Sequence, residues 1–215
     1  MMKYYLEMTL LPNSDINLFT LWSTLFGQIH LGLVEIQDDQ GYVPIGISFP
    51  EYVVGDKFSV LGGKCRLFAH DETTLQRFDT QKCFEHLKDY VHCTSIRLVP
   101  EKLSGYAIYQ RLQPKTNQAR LARRYAKRHD MDFDTAFNST VQLLTDKVPV
   151  NANYKMAFRY CDLSEKIIST PFIRLKSLSN QNSFCLWIKK TDVVVSSGTH
   201  FSCYGLSANS TVPEF

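Results

Sequence analysis

The strongest constraint on folding lies in residues 17–34. Leu18, Leu21, Trp22, Leu25, Phe26, Ile29 and Leu33 recur at helical spacing, so one face of an amphipathic helix must be buried. Ser14 or Asp15 is available to cap it. The helix sits inside a regular series. Tyr4–Leu10 reads as a strand before it. Val43–Phe49, closed by Pro50, and Lys64–Ala69 read as strands after it, with a Gly-bearing loop between them. A second helical region starts at Asp71, its expected cap, and runs to about Asp89 with a break near Asp79. Val91–Val99 reads as a fourth strand, ended by Pro100. Strand, helix, strand, strand, helix, strand is the split βαβ order, which predicts a ferredoxin-like domain over residues 1–100. That arrangement hosts many activities and fixes none.

Residues 101–215 predict a second region. Tyr106–Gln113 reads as a strand broken by Pro114. Asn117 can cap a helix over Gln118–His129, and Asp132–Leu144 reads as another helix. Short strands are expected at 171–176, 183–190, 193–195 and 200–204. The fold class is therefore α+β: a ferredoxin-like domain followed by a C-terminal α/β region with one basic helix and short strands.

Several function classes drop out. Hydrophobic residues make up 44% of the chain and charged residues 21%, which excludes a disordered polymer. No apolar run reaches the ~18 residues of a membrane-spanning helix. The N-terminus carries Glu7 and no apolar signal core, so a cytoplasmic location is expected. The six cysteines (Cys65, Cys83, Cys93, Cys161, Cys185 and Cys203) include no Cys-x-x-Cys pair, and the histidines show no zinc spacing. The thiols read as small apolar side chains. There is no phosphate-binding P-loop, no dinucleotide glycine fingerprint and no Gly-x-Ser-x-Gly elbow. No metal and no cofactor is expected.

Charge is distributed unevenly. Between Lys102 and His129 there is no Asp or Glu, yet the stretch holds eight cations: Lys102, Arg111, Lys115, Arg120, Arg123, Arg124, Lys127 and Arg128. The rest of the chain carries 16 cations against 21 acids. On the helix expected at 117–129, Arg120, Arg123, Arg124, Lys127 and Arg128 fall at i, i+3, i+4, i+7 and i+8, a stripe ~12 Å long. Like charges at that spacing repel. Phosphates opposite them relieve the repulsion and make binding salt-dependent. A solvated helix face is the other reading, although such faces usually mix signs. Upstream, Arg111 and Gln113 share one side of a strand and can each bond a base edge bidentately, or are simply two polar residues on an edge.

Candidate chemistry is sparse. His30 lies at the rim of the apolar helix face. It is either a part-buried, hydrogen-bonded histidine or a general base, a role suited to imidazole near neutral pH. Ser177 and Ser179 are candidate ribose or phosphate ligands, or ordinary turn serines. Tyr204 is a polar positioning group or a core tyrosine.

Several segments, taken in order, resemble the CRISPR repeat-processing endoribonucleases of subtype I-F systems. They are Leu25-Phe-Gly-Gln-Ile-His30, Gly46-Ile-Ser-Phe-Pro50, Arg111-x-Gln113 and the basic helix ending Lys127-Arg-His-Asp130. Arg174-Leu-Lys-Ser-Leu-Ser179 and Ser202-Cys-Tyr-Gly-Leu-Ser207 follow. The resemblance implies that residues 1–100 carry a catalytic histidine, His30, and that residues 101–215 bind the repeat hairpin. It implies that the helix with Arg120, Arg123, Arg124, Lys127, Arg128 and His129 docks in the hairpin's major groove, with Lys115 nearby. Arg111 and Gln113 would read bases low in the stem, and Phe184 would stack on the terminal base pair. Ser177 would pin the ribose upstream of the cut, with Ser179 beside it, and Tyr204 would orient the catalytic groups.

The implied reaction uses no metal. The RNA 2′-hydroxyl attacks the adjacent phosphorus at the 3′ base of the stem, giving a 2′,3′-cyclic phosphate and a 5′-hydroxyl. The enzyme would then stay on the hairpin, alongside the backbone and other subunits of a surveillance complex. A catalytically silent hairpin-capping subunit is the alternative, and a DNA-binding regulator a remoter one. Three departures stand out. Lys127 replaces a common arginine, losing the bidentate fork. Residues 151–166, with Lys155, Arg159 and Lys166, read as an insertion. The ending Val212-Pro-Glu-Phe215 lacks the tryptophan of some relatives.

Overall fold

The computed structural model describes residues 1–55, 58–78, 84–113, 118–142, 157–162, 169–177 and 180–215. Strands are β1 (Tyr4–Leu10), β2 (Gly46–Ser48), β3 (Val53–Val54), β4 (Ser59–Val60), β5 (Lys64–Ala69), β6 (Val91–Cys93), β7 (Arg97–Leu98), β8 (Gly105–Leu112), β9 (Thr140–Gln142), β10 (Ala157–Arg159), β11 (Phe172–Lys176), β12 (Ser183–Val193) and β13 (Val212–Glu214). Helices are α1 (Leu18–Glu35), α2 (Glu72–Arg77), α3 (Gln118–His129) and α4 (Phe133–Asn138). Contacts divide the chain into two compact units, 1–112 with 169–215, and 113–168.

In the first unit, α1 begins where the Asn17 side chain accepts a hydrogen bond from the Thr20 amide at 2.9 Å. The cap is thus Asn17, not Ser14 or Asp15, because the helix starts later than those residues could reach. Leu21, Trp22, Leu25, Phe26, Ile29 and Leu33 are buried as the spacing predicts, each full burial contributing about 1.5–3 kcal/mol. Leu18 is exposed. One sheet of the unit runs in the order β2-β5-β1-β6, with β7 also on β1 and every pairing antiparallel. The expected fourth strand is split into β6 and β7, with residues 94–96 between them, although the Thr94 amide still donates to the Glu7 carbonyl at 2.9 Å. Asp71 caps α2 by accepting from the Thr74 amide; α2 ends at Arg77, the expected break near Asp79 lies outside the described residues, and Glu85–Leu87 form a 3-10 turn before Asp89.

The second sheet of this unit is β11-β12-β8-β13. In it β8 has the eight residues expected, shifted by one position, whereas β12 runs for eleven residues to Val193, past the end expected at 190. The sheet shares a core with the first hundred residues. Val43 pairs with Phe201 as an isolated bridge, and the Tyr109 hydroxyl donates to the Phe49 carbonyl at 3.2 Å. A Cβ on Gly46 would stand 2.6 Å from both Phe201 and Val212. The unit boundaries therefore do not follow a division at 100/101. Residues 200–204 and 194–195 form no strand. The C-terminal residues Val212–Glu214 do, filling the sheet edge beside β8. Phe215 packs its ring 4.0 Å from the Arg66 guanidinium carbon and edge-on to Tyr5.

In the second unit, α3 has the expected bounds from Gln118 to His129; Asn117 lies outside the described residues. Ala122 and Ala126 are its buried positions. Leu121 and Tyr125 are part-buried beside them, and Tyr125 meets Tyr160 at 5.7 Å and the exposed His129 at 4.1 Å. Helix α4 stops at Asn138, short of the expected 144. Ser139 turns extended, and the following residues pair as β9 with β10. Within 151–166, residues 151–156 and 163–166 fall outside the description.

Candidate active site

The site grows from a turn in the first unit. The Gly205 amide donates to the Ser202 carbonyl at 2.7 Å, and the Ser202 amide to Leu206 at 2.8 Å. This turn is fixed at two points. The Ile47 amide of β2 donates to the Gly205 carbonyl, and the Ser207 amide to the Tyr109 carbonyl of β8. Gly205 has φ +67, and a Cβ there would lie 2.3 Å from Ile47 Cγ1, so only glycine fits.

The turn presents two groups to α1. The Cys203 carbonyl oxygen lies 2.8 Å from His30 Nδ1, and the Tyr204 ring stacks on the His30 ring at 4.3 Å and 11°. A carbonyl can only accept, so Nδ1 carries the proton and donates. In the neutral ring the lone pair is then on Nε2. Imidazole orientation and tautomer are thus set by the backbone and by an aromatic face.

Around this pair lies a cleft of about 510 Å³, lined by Gln28, His30, Lys176, Ser177, Phe184 and Tyr204 among others. Ser177 enters from the end of β11. Its amide donates to the Asn182 carbonyl, and its carbonyl accepts from the Gln181 amide, both at 2.9 Å. Phe184 is the cross-strand partner of Leu175. The exposed Arg111 guanidinium lies 5.5 Å from the Phe184 ring and 5.5 Å from the Tyr204 ring. Burial pushes the Tyr204 phenol and the Cys203 thiol upward, with the nearby Arg111 charge pulling each back in part. Both groups are therefore neutral near pH 7.

His30, Ser177, Phe184, Tyr204 and Arg111 thus come together. Gln113 is exposed beyond the end of β8, so it does not share the strand alternation expected with Arg111. Lys115 and Ser179 lie outside the described residues. Arg120, Arg123, Arg124, Lys127, Arg128 and His129 are all exposed on α3, and Arg123 lies 5.2 Å over the Phe133 ring. Sequence reasoning missed the Cys203 carbonyl, a backbone group that no side-chain pattern announces. It also missed Gln28, which lines the same cleft. Among the described residues no cluster of three His, Cys, Asp or Glu side chains is arranged to hold a metal ion, and no helix is long and apolar enough to cross a membrane.

Residues 5–215 match the family description of the CRISPR-associated protein Cas_Csy4. The chain belongs to the Csy4 family. A relative from Escherichia coli (strain UTI89 / UPEC), named CRISPR-associated endonuclease Cas6/Csy4, is 30% identical over 215 residues, the full length of both chains. A Csy4 relative of the same name from Pseudomonas aeruginosa (strain UCBPP-PA14) is also 30% identical over the full length of both. Two solved structures overlap the chain more loosely. One, described as "An RAMP protein binding different RNA substrates", has 8% identity and a TM-score of 0.35, covering 99% of this chain and 100% of that one. The other, described as "CRISPR associated protein Cas6", has 11% identity and a TM-score of 0.29, covering 99% and 98%. Neither overlap is close enough to bear on the fold. The Csy4 family match spans both units.

Proposed function

We propose that this protein is an endoribonuclease that recognises the hairpin of a CRISPR repeat and cuts precursor CRISPR RNA at the 3′ base of the stem. His30 is the general base. It takes the proton of the ribose 2′-hydroxyl, whose oxygen attacks the adjacent phosphorus. The P–O5′ bond breaks as the P–O2′ bond forms, and the departing 5′-oxygen takes a proton from water, so the products are a 2′,3′-cyclic phosphate and a 5′-hydroxyl, formed without a metal. Ser177 holds the ribose upstream of the cut, supported by Ser179, and Tyr204 keeps His30 in place. Orientation supplies much of the rate, because a fixed ribose brings attacking and leaving oxygens into line.

Recognition falls to Arg111 and Gln113 at bases low in the stem, and to Phe184 against the terminal base pair. Lys115, Arg120, Arg123, Arg124, Lys127, Arg128 and His129 contact the stem. After cleavage the protein stays on the hairpin in a cytoplasmic subtype I-F surveillance complex. Residues 1–100 are read as ferredoxin-like, a reading supported by the β2-β5-β1-β6 order, and most of the RNA contacts are assigned to residues 101–215.

The observation that carries this reading is the 2.8 Å contact between His30 Nδ1 and the Cys203 carbonyl. It leaves Nε2 as the basic ring atom, in a cleft that also holds Ser177. The test is incubation of labelled repeat RNA in EDTA. Wild-type protein is expected to cut it, and His30→Ala to slow the cut by about 10²–10⁴-fold while hairpin affinity is kept. Cutting by His30→Ala at the parental rate removes His30 as the base. RNA left whole by the wild type points to a hairpin-capping subunit. Cutting of a substrate with a 2′-deoxy sugar just upstream excludes 2′-hydroxyl attack.

A further inference from the structure

The segment from Arg174 to Ser179 contributes Ser177 to the cleft, but its two cations have no part in the reaction proposed above. Strand alternation places them. On β11, Ile173 and Leu175 are buried, whereas Arg174 and Lys176 are exposed. Their cross-strand partners on β12 are Cys185 and Ser183, and Phe172 is paired with Trp187. Along β12 the same side continues to Lys189, exposed and opposite Gln110 of β8. Arg174, Lys176, Lys189, Phe172 and Trp187 therefore share the outer face of this sheet. The two aromatic rings are in contact, with centroids 4.5 Å apart.

The charge pattern of this face is one-sided. Glu214 and Asp192, which pair with Lys190, belong to the other alternation. Among the described residues of the outer face of β8, β11 and β12 there is no Asp or Glu. Two residues of strand advance ~6.7 Å, so Lys176 and Arg174 are spaced at about the stride of successive phosphates in an extended chain. A positive track beside an aromatic platform suits a single-stranded nucleic acid, since each base offers a face to stack on. An acidic peptide matches the charges but makes no comparable use of the aromatic pair.

We infer that the outer face of the β11-β12-β8 sheet, through Arg174, Lys176, Lys189 and the Phe172–Trp187 pair, binds single-stranded RNA. Lys176 also lines the cleft, so the track starts at its rim. RNA leaving the cut site enters it there, a continuity that rests on the proposed function, whereas the binding itself does not.

The experiment measures affinity for two probes by fluorescence anisotropy: a uridine 12-mer, and a repeat hairpin with no flanking nucleotides. The double variant Arg174→Ala/Lys189→Ala leaves Lys176 and the cleft untouched. It is expected to weaken 12-mer binding roughly tenfold and to lower the slope of log affinity against log salt by about 1.4, at ~0.7 per phosphate contact. Hairpin affinity is expected to stay within about twofold, a span of ~0.4 kcal/mol. Arg174→Lys/Lys189→Arg keeps both charges and is expected to restore 12-mer binding, separating charge from fold. Unchanged 12-mer binding by the double alanine variant overturns the inference. So does an equal loss on both probes, or an oligoglutamate competing as well as the uridine 12-mer. Failure of the wild type to bind the hairpin sinks the proposed function instead, and the 12-mer arm still reports on this face.

Discussion

The cleft and the basic helix are built by opposite means. At the cleft, His30 and Cys203 are 173 residues apart in sequence, and their contact exists only because α1, β2, β8 and the Ser202–Leu206 turn are packed together. On α3, every cation of the stripe lies within 120–128 and follows from helical spacing alone. The cleft is held by a pinned turn and ring stacking; the helix rests on two alanines and on aromatic contacts around Tyr125 and Tyr160. A cutting centre needs atoms fixed to a fraction of an ångström, while an electrostatic clamp needs only charge along a face. The two regions should therefore fail in different ways when mutated.

Apart from loss of the His30 imidazole itself, the largest single effect on stability and cleavage together is expected of Gly205→Val. A β-branched residue cannot hold φ +67 without strain, and its Cβ would collide with Ile47. The expected cost is about 3 kcal/mol of stability, read as a fall of roughly 6–12 °C in Tm. At a temperature where the variant stays folded, cleavage should drop by about 10²-fold, because the turn no longer aims the Cys203 carbonyl at His30. Hairpin affinity should hardly move. If single-turnover cleavage stays normal, the turn does not position His30. If affinity falls as far as cleavage does, the separation of the two regions is wrong.

The same difference decides what could be read from the chain alone. Strands Tyr4–Leu10 and Lys64–Ala69 and helix Gln118–His129 were legible to the residue, because each carries a local periodicity that no distant contact overrides. The expected helix over 132–144 fails after Asn138, where pairing with Ala157–Arg159 wins over helical propensity. The strand at the C-terminus was invisible: Val212-Pro-Glu is too short for a pattern and is recruited by the open edge of β8. At the site, His30 stood out as a residue type, but its tautomer did not. The group that sets it is a main-chain oxygen, and any residue at position 203 would offer one.

Next in size is the stripe. Arg123→Ala/Arg124→Ala removes two exposed cations from α3 and leaves the Ala122 and Ala126 contacts in place. Hairpin affinity should fall roughly 10–100-fold, and the salt slope should flatten by about 1–2. Cleavage at saturating protein should remain near the parental rate, the reverse of the Gly205→Val result. A filter-binding series between low and moderate salt reads both quantities. An unchanged slope means that these arginines face no phosphate.

The finest probe is Tyr204, which touches His30 through its ring face. Burial pushes its phenol upward and Arg111 only partly offsets this, so the hydroxyl stays protonated through pH 9 and supplies no charge to the reaction. Tyr204→Phe keeps the 4.3 Å stack and should stay within about threefold of the parental cleavage rate, a change of ~0.7 kcal/mol. Its pH–rate profile between about pH 6 and 9 should be unaltered. Tyr204→Ala removes the ring and an interaction of about 0.5–1.5 kcal/mol, so its rate should fall by up to about tenfold. Because the Cys203 carbonyl still holds Nδ1, the loss should stop well short of that of His30→Ala. Equal loss for Phe and Ala would assign the effect to the hydroxyl. An alkaline limb that vanishes in Tyr204→Phe would mean the phenol does ionise in the working range, which the burial of the turn argues against.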